Sequence, residues 1–369
     1  YFERESNSKN TYFVETDDEN TLGRLKTATE LENIRIVPPG SLYRNGYVTK
    51  QELLLSTSLK LKIFSDLADE IDMVVILGGD DYTEDYGWRS LISQLLRANA
   101  IAGKLKVLFI GQTMGPYYSF RRAAAKFLLS RVESILVRDS ITFNYLSEMG
   151  LKNIDEIPDL ALLPLTRESK NEDYQKEYIC VFPSELIYHY SKSPERTACL
   201  NFYTKVCEHI NKKFPQYKIV LVPHVLKPKA SDDREMVRDI YAGLSRECQE
   251  QTIMIENELY PYEVREMIKK SHFIVSARMH PVISAIECLR PWICISYSRK
   301  YWGILGEAYQ LGDYILDVRK MEFEELYNSF VKTLGKLSIN YEELIKQMSI
   351  RLEKDQNNII RQISKLTSL

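Results

Sequence analysis

Along most of the chain, apolar runs of about five residues alternate with longer stretches whose apolar positions recur at helical spacing. Gly, Pro or Asp bound the runs, which predicts short strands separated by helices, the pattern of a parallel sheet covered on both faces. In the first half, strands are predicted at "MVVILGG" (73–79), "KVLFIGQ" (106–112) and "SILVRD" (134–139). Helices are predicted at 88–102, 119–132 and 140–149, the last capped by Asp139 and stopped by Gly150.

The run "TRESKNEDYQKE" (166–177), polar except for Tyr174, predicts a linker. A second series follows, with strands at "YICVFP" (178–183), "KIVLVPH" (218–224), "TIMIE" (252–256), "HFIVSA" (272–277) and "PWICISY" (291–297). Helices near 195–213, 232–246, 261–270 and 281–289 separate them, and 322–367 predicts a charged helical tail. The expected architecture is therefore α/β, with two doubly wound Rossmann-like domains, 1–165 and 166–335, and a tail, 336–369, packing across both. Ligands of such sheets bind outside the carboxyl ends of the strands, which predicts a cleft lined by strand-to-helix turns.

Composition narrows the chemistry. Forty-nine Lys and Arg against 51 Asp and Glu leave a net charge of −2, so nothing in the overall balance calls for nucleic acid. The six cysteines have no CxxC spacing, and several lie in predicted strands or helices, as reduced, buried cysteines do. No apolar run reaches the roughly 18 residues that span a bilayer, so a soluble chain with at most a peripheral membrane contact is expected.

Cations then stand out at the turns. In "SARMHPVISAIECLRPWICISYSRK" (276–300), Arg278 and His280 follow one predicted strand, and Arg299 and Lys300 follow the next. Pro281 suits a first helical position, which would make His280 the cap, beside amides that bind anions. Arg offers a planar fork for phosphate or carboxylate, His an acid or base near neutral pH, and Lys a flexible point charge. Alternatively, Arg278 and His280 bond strand-end carbonyls, and the other two are solvated. In the first half, Gln112 lies in "GQTMGP" (111–116), whose glycines permit close approach, and Arg138 ends a strand beside Asp139. Asp80 and Asp81 in "GGDDYTED" (78–85) could orient sugar hydroxyls, supply a base, bind a metal or cap the next helix. His224 ends "LVPH" facing the predicted cleft.

In order, "GGD", "GQTMGP", "ILVRDSITFNYLSEMG" (135–150), "PDLALL" (158–163), "LVPH" and the 276–300 segment resemble the polysaccharide pyruvyl transferase family. The loop that opens many members has no counterpart in "YFERESNSKN" at the chain start. The resemblance implies a GT-B-like fold and transfer of pyruvate from phosphoenolpyruvate onto two hydroxyls of a sugar as a cyclic ketal. It implies that Arg278, Met279 and the helix-start amides hold the donor's anionic groups with Lys300, and that Arg138 closes on them from the opposite domain. His280 becomes the expected acid or base, with Lys300 the alternative proton donor. Asp81 joins the catalytic set, while Asp80, Gln112 and His224 join the substrate-binding residues. No cofactor or metal is required, because phosphoenolpyruvate is itself the donor substrate. The expected setting is capsule or exopolysaccharide assembly in the cytoplasm, with a lipid-linked oligosaccharide at the inner membrane face as one possible acceptor. Two rival expectations are a nucleotide-sugar glycosyltransferase of the same fold and a non-catalytic carbohydrate-binding or scaffold protein.

Overall fold

Two short runs, Tyr12–Glu15 (β1) and Ile34–Val37 (β2), pair in parallel and flank the helix Glu19–Thr29 in sequence, a βαβ start that the apolar pattern did not single out. The computed structural model describes residues 10–16, 19–37, 62, 65–84, 87–165, 167, 178–226 and 232–366. They fall into two units, Tyr1–Leu160 with Asp355–Leu369, and Ala161–Lys354. Apart from Arg167, the predicted linker lies outside the described residues.

The first unit's larger sheet consists of Met73–Tyr82 (β3), Lys106–Met114 (β4), Ser134–Val137 (β5) and Ile154–Glu156 (β6), parallel and in that order. In β4, Val107 to Ile110 are almost wholly excluded from solvent, as in a strand covered on both faces. β3 and β4 run beyond their predicted ends at Gly79 and Gln112, so Asp80, Asp81, Thr113 and Met114 lie within strands rather than in the turns after them. Gly78 makes this possible: a Cβ there would stand 2.5 Å from the carbonyl oxygen of Gly111 on the neighbouring strand. Asp139 caps the helix Ser140–Glu148 by accepting from Thr142 N, and Gly150, at φ +80°, follows its end.

In the second unit, Tyr178–Phe182 (β7), Lys218–Leu221 (β8), Thr252–Met254 (β9), Ser271–Ser276 (β10), Trp292–Ser296 (β11) and Ile315–Asp317 (β12) form one parallel sheet. Its order, β12-β11-β10-β7-β8-β9, is that of the dinucleotide-binding fold, with the crossover between β7 and β10. β7 and β11 are buried along their whole length, and Cys180 and Cys294 sit within them as free thiols whose pKa burial pushes up. The tail forms the helices Phe323–Ile339 and Tyr341–Leu366, the second of which passes from one unit's residues into the other's. Within the first unit, Gln362 Nε2 donates to Asp155 Oδ2 at 3.0 Å. No helix among the described residues is long and apolar enough to cross a membrane.

Candidate functional site

The crossover of the second sheet brings the carboxyl ends of β7 and β10 side by side, and polar side chains gather there. Ser276 Oγ accepts from Arg278 N at 3.0 Å and donates to Arg278 O at 2.7 Å, fixing the turn that leaves β10. The helix Met279–Glu287 starts immediately, with Arg278 as its cap residue, so the expected cap at His280 is corrected. Pro281 is the third helical residue, not the first, and the helix-start amides nearest the turn are those of Met279 and His280. Met279 is buried, whereas the His280 side chain is exposed.

Arg278 is buried and paired with the fully buried carboxylate of Asp233. Nη2 of Arg278 lies 2.6 Å from Asp233 Oδ1, and Nε lies 3.0 Å from Oδ2, a bidentate fork. Burial works against the Arg278 charge, but Asp233 outweighs it, so the pKa stands above the ordinary arginine value. The same carboxylate accepts from the amides of Glu185 after β7 and of His224 and Val225 after β8, at 3.3, 3.3 and 2.9 Å. One fully buried Asp thus ties the ends of β7 and β8 to the guanidinium that follows β10.

Asp233 was not read from the sequence. In "DDREMV" (232–237) it follows Asp232, which is the true N-cap and accepts from Arg234 N, so Asp233 resembles an ordinary acidic residue of a first helical turn. Only the 45-residue separation from Arg278, closed by the sheet order, reveals its partner.

β10 and β11 are parallel neighbours, Ser276 opposite Cys294, so the turns after them share one sheet edge. Tyr301, fully buried, donates from its hydroxyl to Ala277 O at 2.9 Å and binds the second turn to the first. Lys300 lies 6.0 Å from the centroid of the Tyr297 ring, and Tyr297 packs edge-on to Tyr301. Ser298 Oγ is buried and has no hydrogen-bond partner among the described residues.

The rings of His224 and His280 stack with centroids 6.4 Å apart. Burial, then the charges of His280 and Arg278, push the His224 imidazole down to about 3. A folded-state pKa below the unfolded value means that stability from this group is complete above about pH 6.5 and lost as pH falls toward the folded value. The expected loss approaches about 1.4 kcal/mol per pH unit across that window. His224→Gln should remove a slope of about one proton, measured by chemical denaturation between about pH 7 and about pH 5. Equal slopes in the two proteins would show that the ring is not held neutral.

The first unit has its own buried pair at its strand ends. Arg138 Nη1 donates to Asp159 Oδ2 at 2.8 Å, Nε to Thr113 Oγ1 at 3.0 Å and Nη2 to Gly79 O at 3.3 Å. Thr113 in turn donates to Asp139, joining the helix cap to the cluster. Gln112 is 1% exposed; its Nε2 donates to Leu77 O at 2.6 Å, while Oε1 has no partner among the described residues. Asp80 is half-buried and Asp81 exposed, both inside β3; the next helix, Trp88–Ala102, takes no side-chain cap from them. The structure therefore brings Arg278, Met279, His280, His224 and Lys300 to one edge of the second sheet. Arg138, Gln112, Asp80 and Asp81 stand at the strand ends of the first.

Known structures define the fold class. The chain superposes on the UDP-GlcNAc 2-epimerase of Neisseria meningitidis with a TM-score of 0.60 at 13% identity, covering 96% of this chain and 90% of that one. It superposes on an α,α-trehalose-phosphate synthase of Burkholderia xenovorans with a TM-score of 0.58 at 9% identity, covering 96% and 98%. The fold is α/β with parallel sheets, of the GT-B type found in those enzymes. Within that class the chain belongs to the polysaccharide pyruvyl transferase family, whose model matches residues 19–299. A relative, the amylovoran biosynthesis protein AmsJ of Erwinia amylovora, is 21% identical over 309 residues, 80% of this chain and 72% of its own length.

Proposed function

We propose that the protein transfers pyruvate from phosphoenolpyruvate to two hydroxyls of one sugar, forming a cyclic ketal during polysaccharide biosynthesis. Family membership and the relative named for amylovoran biosynthesis support the setting. The observation that carries the reading is Arg278, pinned by Asp233 at the sheet crossover, with His280 in the adjoining helical turn and Lys300 at the next strand end. A pinned guanidinium, a flexible ammonium and helix-start amides suit a donor bearing both a carboxylate and a phosphate.

Protonated His280 gives its proton to the methylene carbon of the donor, and positive charge develops on the carbon bearing the phosphate oxygen. A sugar hydroxyl bonds to that carbon and yields its proton to a base, for which the neutral His280 left by the first step is suited. The carbon–oxygen bond to phosphate then breaks with the electron pair leaving on phosphate, the second hydroxyl bonds to the same carbon, and its proton passes to the departing inorganic phosphate. Arg278 and Lys300 hold the anion throughout. Asp80 and Asp81 are proposed to orient the acceptor hydroxyls.

Phosphoenolpyruvate at millimolar concentration should raise the melting temperature by mass action, and Arg278→Ala should abolish that shift relative to its own ligand-free baseline. With sugar glycosides present, inorganic phosphate should be released and the sugar should gain the mass of a pyruvate ketal. Release of a nucleoside diphosphate from a nucleotide sugar, or no shift in the folded wild-type protein, overturns the reading.

A further inference from the structure

A second feature lies in the first unit, on the helices Trp88–Ala102 and Phe120–Leu129. Of the eleven large hydrophobic side chains exposed among the described residues, five fall between positions 88 and 127: Trp88, Leu96, Tyr118, Phe120 and Phe127. Phe120 is 69% and Phe127 62% exposed, seven residues apart and so on one face of the helix Phe120–Leu129, with exposed Ala123 between them. That helix packs against Trp88–Ala102, whose exposed Trp88 and Leu96, eight residues apart, also share a face. Arg121 joins the two elements: it is held by Glu84 at 2.7 Å and lies 5.8 Å from the Trp88 centroid and 5.7 Å from that of Phe120.

Charge around these rings is one-sided. From Tyr86 to Val132 the sequence contains eight Lys and Arg and no Asp or Glu, within a chain of net charge −2. Arg89 and Arg131 lie 5.5 and 5.6 Å from the Trp88 and Phe127 centroids, and among the described residues neither they nor Arg122 has a recorded ion pair with a carboxylate. Exposed aromatic residues flanked by cations are the composition of a helix that lies in a membrane interface: the rings enter the headgroup boundary and the cations meet anionic lipid.

We infer that the outer face of helices Trp88–Ala102 and Phe120–Leu129 docks on an anionic lipid surface. A second copy of this chain fits poorly, because an isologous contact would bring two basic faces together. A polynucleotide would satisfy the charge but would not use the aliphatic Leu96 and Ala123, which have no π-face on which bases could stack.

The test is cosedimentation of the full chain with vesicles of phosphatidylcholine alone, or of phosphatidylcholine with phosphatidylglycerol, at low and high salt. Binding should require phosphatidylglycerol and weaken with salt. It should fall at least about tenfold both in Phe120→Ser/Phe127→Ser and in Arg122→Glu/Arg131→Glu, whose side chains lie at the surface, so far-UV circular dichroism should be unchanged. The result is independent of pyruvyl transfer, since no substrate is present. The proposal is overturned by no binding, by equal binding to both vesicle types, or by variants that bind like wild type. It is equally overturned if the Phe variants instead abolish a concentration-dependent dimer or the retention of single-stranded DNA.

Discussion

Asp233→Ala is expected to destabilise the second unit by about 3–5 kcal/mol, because it leaves the buried Arg278 guanidinium without its counter-charge. The loss goes beyond one ion pair. The amides of Glu185, His224 and Val225 lose their acceptor at the same time, and unmet buried donors carry their own penalty. Asp233→Asn keeps an acceptor of the same shape and should cost less than the Ala change, although its amide group faces the guanidinium without a charge. Denaturant unfolding gives the magnitude, and hydrogen exchange gives the location: those three amides should lose protection before the interior of β7 does. A loss below about 1 kcal/mol, as for an exposed pair, would mean that the pair is not the clasp of the site. Since Asp233 fixes Arg278, the variant should also weaken donor-induced stabilisation by phosphoenolpyruvate.

His280→Ala is expected to lower turnover of phosphoenolpyruvate by about a hundredfold to ten-thousandfold while leaving the donor's thermal shift intact. The exposure of its side chain and its place in the first helical turn predict little structural cost. Lys300→Met should divide the other way, raising the donor KM more than it lowers kcat, because a flexible point charge contributes mainly to anion binding. If turnover collapses in the Lys variant and survives in the His variant, the proton donor is Lys300, and the roles given above are exchanged. The two measurements separate binding from proton transfer, which phosphate release alone does not.

The apolar runs at 73–77, 106–110, 178–182, 272–276 and 291–296 were legible as strands because parallel strands covered on both faces carry nearly continuous hydrophobic residues. Asp139 was legible as a cap and Gly150 as a stop because both act through local backbone chemistry. The helix start at 279 was misread because Pro281 was given the commonest helical position for proline. The structure instead caps the helix two residues earlier, where Ser276 has already fixed the Arg278 backbone. The ends of β3 and β4 were placed short, at Gly79 and Gln112, because the residues that carry the strands on to Tyr82 and Met114 are mostly polar and give no apolar signal.

By itself, the sequence determined the α/β class, most of the succession of elements between residues 73 and 297, and the placing of Arg278, His280 and Lys300 at the ends of predicted strands. Those properties depend on hydrophobic periodicity and neighbouring residues, and both are written along the chain. Only the tertiary structure decided that β7 and β10 adjoin and that Asp233 closes on Arg278. It alone also showed Phe120 and Phe127 facing solvent rather than the core. Strand order and burial arise from contacts between residues far apart in sequence, so the partner of a buried charge cannot be read from its neighbours along the chain.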